Sequence, residues 1–133
     1  MNDYEAKVQA FHAATETPVG AGFTVALLQL RKKLLREELA ELEAEIDAGI
    51  AEIEASGAVS RETRVKLVKE LVDVQYVLSG MAVTFGLPME KAFDRVHESN
   101  LSKLGDDGRA IFRDDGKVMK GPNYKPAVLD DIV

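Results

Sequence analysis

From Val25 to about Ala55 the chain contains no proline, and Ala, Leu, Glu, Lys and Arg dominate it. All five are strong helix formers. Leu28, Leu35, Leu39, Leu42, Ile46, Ile50 and Ile53 recur at steps of three, four and seven, which places them on one continuous helical stripe. At 1.5 Å per residue such a helix is about 45 Å long. The whole chain has 133 residues, the size of one domain, and a helix of this length is more than one such domain covers. The surplus is therefore expected to be covered by a second copy, giving a homodimer or a dimer of dimers.

The remaining helices follow from the breakers. A first helix is predicted from Asn2 to about Ala14, ending ahead of Pro18 because the residue before a proline avoids the helical region. Gly57 stops the long helix, and Ser60 is a suitable N-cap for a third, with Glu62 in its first turn and apolar positions through Val68, Leu71, Val72 and Leu78 to about Phe85. Thr63 stands where a full capping box would have Glu or Gln. Gly86 closes this helix, and Pro88 opens a fourth from Met89 to about Leu104. Beyond it come turn signals: Asp106-Asp107-Gly108, Asp114-Asp115-Gly116 and Gly121-Pro122-Asn123. The expectation is an irregular arm in which Ile111, Phe112, Val118 and Met119 pack down, rather than a hairpin. No strand-like alternation of useful length occurs in the body. Residues 1–133 thus read as a single all-α domain, a four-helix-bundle-like body with a turn-rich C-terminal arm.

Composition narrows the chemistry. There is no cysteine, which excludes disulfides, thiolate metal sites and Cys nucleophiles. Any metal must be held by oxygen or imidazole. A formal charge of −6 weighs against nucleic acid as a partner, since phosphate backbones are bound by basic patches. The charged N-terminus carries no secretory pattern, and no run reaches the roughly 20 apolar residues of a membrane span. The expected setting is cytoplasmic, without a membrane partner.

The informative residues are acidic ones on apolar faces. With Glu37 set at zero on the long helix, Glu41 falls about 40° away and Glu38 about 100°, on the arc that Leu27, Leu30 and Leu34 occupy one to three turns earlier. A long Glu-rich helix ordinarily has a solvated side, and Glu43, Glu45, Glu52 and Glu54 fit that reading. Like charges four apart, however, repel and need a counter-charge. On the third helix Glu70 stands at the centre of the stripe formed by Leu67, Val74, Val77, Met81 and Phe85, with Asp73 at its edge. An ionised carboxylate is costly to bury unless it is paired or bound to metal. A buried ion pair with Lys33, Arg36 or Lys69 is one solution. The other is a shared site: antiparallel packing across the short Gly57 connection makes five carboxylates converge. An oxygen-only cluster suits magnesium or manganese and, through it, a polyphosphate substrate. Calcium is disfavoured, because the Asp-Asp-Gly turns lack the ligand spacing of an EF-hand.

Arg36-Glu37-Glu38-Leu39-Ala40-Glu41, followed by Glu70-Leu71-Val72-Asp73, resembles the paired EExxE and ExxD signature of the all-α nucleoside triphosphate pyrophosphatases, the MazG-like superfamily. The likeness extends to Phe11-His12, to the run from Val96 to Lys103, and to the run from Asp114 to Tyr124. The last two look most like the single-domain bacterial branch that includes a dUTP pyrophosphatase, and less like the phosphoribosyl-ATP members. The resemblance implies hydrolysis between the α and β phosphates of a nucleoside triphosphate, releasing a monophosphate and pyrophosphate. By position it implies Glu37, Glu41, Glu70 and Asp73 as ligands of two or more Mg2+ or Mn2+ ions, and Glu38 as general base that also touches metal.

Arg95, Asn100, Lys103, Lys120, Tyr124 and Lys125 are candidates for closing over phosphates or sugar. Each has a plainer alternative: Arg95 and Lys103 as the solvated side of their helix, Lys120 and Lys125 as loop charges, Tyr124 as a cap on the core. Asn100 is a poor helix former and needs a reason to be mid-helix. His12 and His97 read as packing or base-edge contacts rather than metal ligands. The expected function is a magnesium-dependent pyrophosphatase of dUTP or related deoxynucleotides, cleaning the nucleotide pool. Its alternatives are a broad-specificity triphosphate pyrophosphatase and a non-catalytic helical dimer that binds divalent metal or a partner.

Overall fold

The computed structural model describes all residues, 1–133. It is all-helical with four helices: α1 Asp3–Ala14, α2 Val25–Ser56, α3 Arg61–Phe85 and α4 Met89–Leu101. The caps explain the boundaries. Asn2 and Glu5 form a reciprocal capping box at the start of α1, and Thr24 and Ser60 accept backbone N–H groups at the starts of α2 and α3. Gly57 and Gly86 end α2 and α3 with φ of 81° and 65°, a left-handed conformation natural to glycine. The fourth helix stops at Leu101, three residues before the predicted end, where Ser102 and Leu104 turn their N–H groups back into the last turn.

The chain divides into two compact units, Asn2–Leu87 and Pro88–Val133 with Met1. In the first, α3 is the central element and packs against both α2 and α1. The loop before α2 is fastened to the end of α3 by Gly20 N–H to Val83 O at 3.0 Å and Ala21 N–H to Thr84 O at 2.7 Å, with the Phe23 and Phe85 rings stacked at 4.4 Å. The enclosed apolar core is small: Val8, Ala82, Val83 and Phe85. Leu39, Ile46, Ile50 and Ile53 on α2 remain exposed, as do Val65, Val68, Leu71 and Val72 on α3. The inward face of α2 runs instead through Leu27, Arg31, Leu34, Leu35, Glu38, Leu42, Glu45 and Gly49. The stripe read from the sequence is therefore largely a second face, left uncovered by this chain.

The other unit carries α4 and the arm. Segment 121–131 returns along α4: the Gly121 N–H meets Lys103 O at 2.8 Å, the Ser99 hydroxyl meets Lys125 O at 2.7 Å, and Arg95 holds Val128 O and the Asp131 carboxylate. Contrary to expectation, the second Asp-Asp-Gly turn does close a minimal hairpin. Phe112 and Val118 form an antiparallel bridge, with Met119 N–H to Ile111 O at 2.6 Å and Arg113 N–H to Lys117 O at 2.7 Å. Ile111, Phe112 and Met119 stay exposed rather than packing down, while Val118 is half-buried. No single helix is long and apolar enough to cross a membrane.

Candidate metal centre

The antiparallel pairing of α2 and α3 sets acidic residues of the two helices side by side. Glu38, Glu41, Glu70 and Asp73 each offer a carboxylate oxygen, and these four atoms lie within 4.8 Å of one another. Glu38, Glu70 and Asp73 are partly buried, and Glu41 is exposed. Glu37 is the exception among the expected ligands. It is exposed and stands outside this group. The reason is rotational: Glu38 continues the inward face through Arg31, Leu34 and Leu35, so Glu37 is turned about 100° from it.

Charge balance inside the cluster is incomplete. Of the three cations considered as partners, only Lys69 pairs with it, its Nζ lying 2.5 Å from Asp73 and 3.6 Å from Glu70. Lys69 is itself 63% exposed, so it sits at the rim and does not occupy the middle. Four carboxylates against one ammonium leave a formal charge of −3 when all are ionised. Glu38 Oε2 and Glu70 Oε2 are buried without any hydrogen-bond partner, an expensive state for a carboxylate oxygen. Burial first, and then the carboxylates of Glu41, Asp73 and Glu70, push the Glu38 pKa above its ordinary value. Asp73 in turn raises that of Lys69.

Two orphaned oxygens, an all-oxygen donor set and excess negative charge are what a hard divalent cation satisfies. The residues present fit such an ion, with Glu38, Glu41, Glu70 and Asp73 as its holders.

A family comparison agrees with this geometry. Residues 8–100 match the sequence profile of phosphoribosyl-ATP pyrophosphohydrolase. The chain belongs to that family. Membership makes it an all-α, MazG-like protein and a nucleotide pyrophosphohydrolase in its coarse function, of a kind that uses divalent metal. The matched span includes the whole carboxylate cluster and ends at Asn100, before the arm. A search of curated proteins found no match.

The six expected substrate contacts lie in the unit of α4 and the arm. Arg95 is engaged by a two-pronged ion pair with Asp131, which draws the Asp131 carboxyl down to about 2. Lys120 lies over the ring of Tyr124, 4.8 Å from its centre. Lys103 and Lys125 contribute backbone groups that fasten the arm, and Asn100 is exposed. His12 is buried, its Nδ1–H donating to Pro18 O at 3.1 Å, and His97 is exposed.

Two residues in the first unit escaped the sequence reading. Glu52, taken for a solvated charge, organises the start of α3. Arg31 is buried on the inward face of α2. Its signal was available, because it stands seven residues before Glu38 and so almost on the same line of the helix.

Proposed function

We propose that this family member is a magnesium-dependent pyrophosphatase of dUTP or closely related deoxynucleoside triphosphates, yielding the monophosphate and pyrophosphate. The observation that carries the reading is the α2–α3 carboxylate cluster with its two unpartnered buried oxygens. Glu38, Glu41, Glu70 and Asp73 would hold Mg2+, with Mn2+ as the alternative ion. Bound there, the ion supplies charge neutralisation for the phosphates and makes water easier to deprotonate. Glu38 acts as general base. Its buried Oε2, which no protein group engages, is available to take a proton from the attacking water. The water oxygen then bonds to the α-phosphorus as the α–β P–O bond breaks, and pyrophosphate leaves with the electron pair. Lys69, already beside Asp73, adds a positive charge at the rim of the cluster.

The dUTP preference rests on the likeness of the run Val96 to Lys103 and of the arm to the dUTP-hydrolysing branch. Phosphoribosyl-ATP is the second reading, favoured by the family match over residues 8–100. The reading also includes a homodimer or a dimer of dimers, supported by the uncovered apolar faces of α2 and α3.

The deciding experiment is pyrophosphate release from dUTP, dTTP, dCTP, UTP, ATP and phosphoribosyl-ATP, with and without Mg2+, beside Glu38→Gln. Mg2+-dependent turnover of dUTP, weak on dTTP and reduced at least about a hundredfold in the variant, is the expected result. Preference for phosphoribosyl-ATP moves the protein to the second reading. Full turnover by Glu38→Gln removes Glu38 as the base.

A further inference from the structure

Arg31 is the most anomalous side chain of the first unit. It is only 6% exposed, yet it makes no ion pair and no hydrogen bond, and its Nε is completely sealed from solvent. Burial pulls its pKa below the ordinary guanidinium value. A buried charge without a partner is costly to the fold, so the arrangement calls for a reason other than stability. The terminal nitrogens are equally unpartnered, but they are not sealed and can be reached from outside.

The neighbouring helices are shaped around this guanidinium. On α3, Gly80 faces it: a Cβ there would lie 2.6 Å from Arg31 Nη1 and 3.5 Å from His12 Nε2. The missing side chain is what lets the guanidinium lie against α3 beside His12. His12 adds no competing positive charge. Its Nδ1–H is committed to Pro18 O, and burial and the Arg31 charge favour the neutral ring.

Position gives this free cation a direction. Arg31 precedes Glu38 by seven residues on α2, and Gly80 follows Asp73 by seven on the antiparallel α3. Both pairs are thus offset toward the same end, by about 10 Å along each helix. A separation of that size suits two ends of one extended ligand rather than one ion. The carboxylate end suits a metal-neutralised phosphate, and the other end presents an unpaired fork of N–H donors, which matches a bare phosphate geometrically and in charge.

We propose that Arg31 is a substrate-binding residue that receives the β,γ-pyrophosphate portion of the nucleotide. The proposal rests on the pyrophosphohydrolase reading above and adds to it the group that holds the leaving portion. The anion would supply the partner that the Arg31 guanidinium lacks within the protein, and the desolvation already borne by the buried side chain strengthens that contact.

The test is binding rather than turnover. Inorganic pyrophosphate in the presence of Mg2+ is titrated calorimetrically into the wild-type chain, Arg31→Met and Arg31→Lys, with Mg2+ alone and uridine as separate probes. Arg31→Met is expected to weaken pyrophosphate binding about tenfold to a hundredfold, to leave binding of Mg2+ alone unchanged, and to melt no lower than wild type, because an unpaired buried charge has been replaced by an apolar chain. Arg31→Lys keeps the charge without the fork and is expected to fall between the two. Equal pyrophosphate affinity in wild type and Arg31→Met overturns the proposal. So does weakened uridine binding with pyrophosphate unaffected, which would make Arg31 a base contact. If Arg31→Met does not fold, wild-type pyrophosphate affinity in a destabilised Arg31→Lys assigns a purely structural role. Because pyrophosphate binding is read without catalysis, a chain that hydrolyses no nucleotide but binds pyrophosphate through Arg31 separates failure of the functional reading from failure of this one.

Discussion

The Glu52 carboxylate accepts the backbone N–H of Ser60 at 2.8 Å, so a residue of α2 performs the part that a capping-box Glu within α3 would play. It also receives the hydroxyls of Ser60 and Thr63, at 2.9 and 2.7 Å. The bonds that begin α3 thereby pin it to α2 and set the register in which the acidic residues meet.

These bonds hold the Glu52 pKa below its ordinary 4.5, the Thr63 hydroxyl contributing most. A carboxylate depressed in the folded state stabilises above its unfolded value, and the contribution is lost as pH falls through the folded one. Glu52→Gln should therefore lower the thermal midpoint by a few degrees at pH 7. The gap should close in acid, where wild-type Glu52 is itself protonated. A pH-independent gap in calorimetric scans would refute the charge-based account.

Glu38 has the opposite sign. Its pKa is raised by burial and by neighbouring carboxylates, so its contribution to stability is fully present below 4.5 and is lost as pH rises through the folded value. Without divalent cations, Glu38→Gln should melt above wild type at pH 7 and level with it well below pH 4.5. Adding Mg2+ should raise the wild-type midpoint more than that of the variant. Thermal scans at two pH values with and without Mg2+ check both points.

Ile46 and Ile50 lie on the exposed ridge of α2, and Ile50 retains 50% of its accessible surface. A double change to Asp places charges where a second copy is proposed to pack. Sedimentation should show a dimer or larger assembly for wild type and a monomer for the variant. A wild-type monomer at micromolar concentration would contradict the proposed assembly.

Gly121 touches the turn that follows α4 through its own backbone. A Cβ at this position would collide with Lys103 O and come within 2.9 Å of Leu104 O, both main-chain atoms that have little room to yield. Gly121→Ala should cost about 1 to 3 kcal/mol and loosen segment 121–131 from α4, read as faster hydrogen exchange at the Gly121 and Lys125 amides. Unchanged exchange would mean that the backbone accommodates the methyl.

The helices were legible because their causes are local. Caps at Asn2 and Ser60, stops at Gly57 and Gly86, and a proline-free α2 act within a few residues of themselves, so the chain determined its all-α class and nearly all its boundaries without reference to neighbours. The acidic residues that interrupt apolar stripes likewise announced chemistry, since a carboxylate on such a face contradicts the pattern around it. Which side chains actually meet depends on the rotation of α2 about its axis, and that is set by packing against α3. The same packing favours Glu38 over Glu37, leaves Leu39, Ile46 and Ile50 outside, and turns Glu52 from a surface charge into a cap. Arg31 shows the limit most clearly. Its place on the helix is readable in the sequence, whereas its burial without a counter-charge exists only once Gly80 and His12 of two other helices close around it.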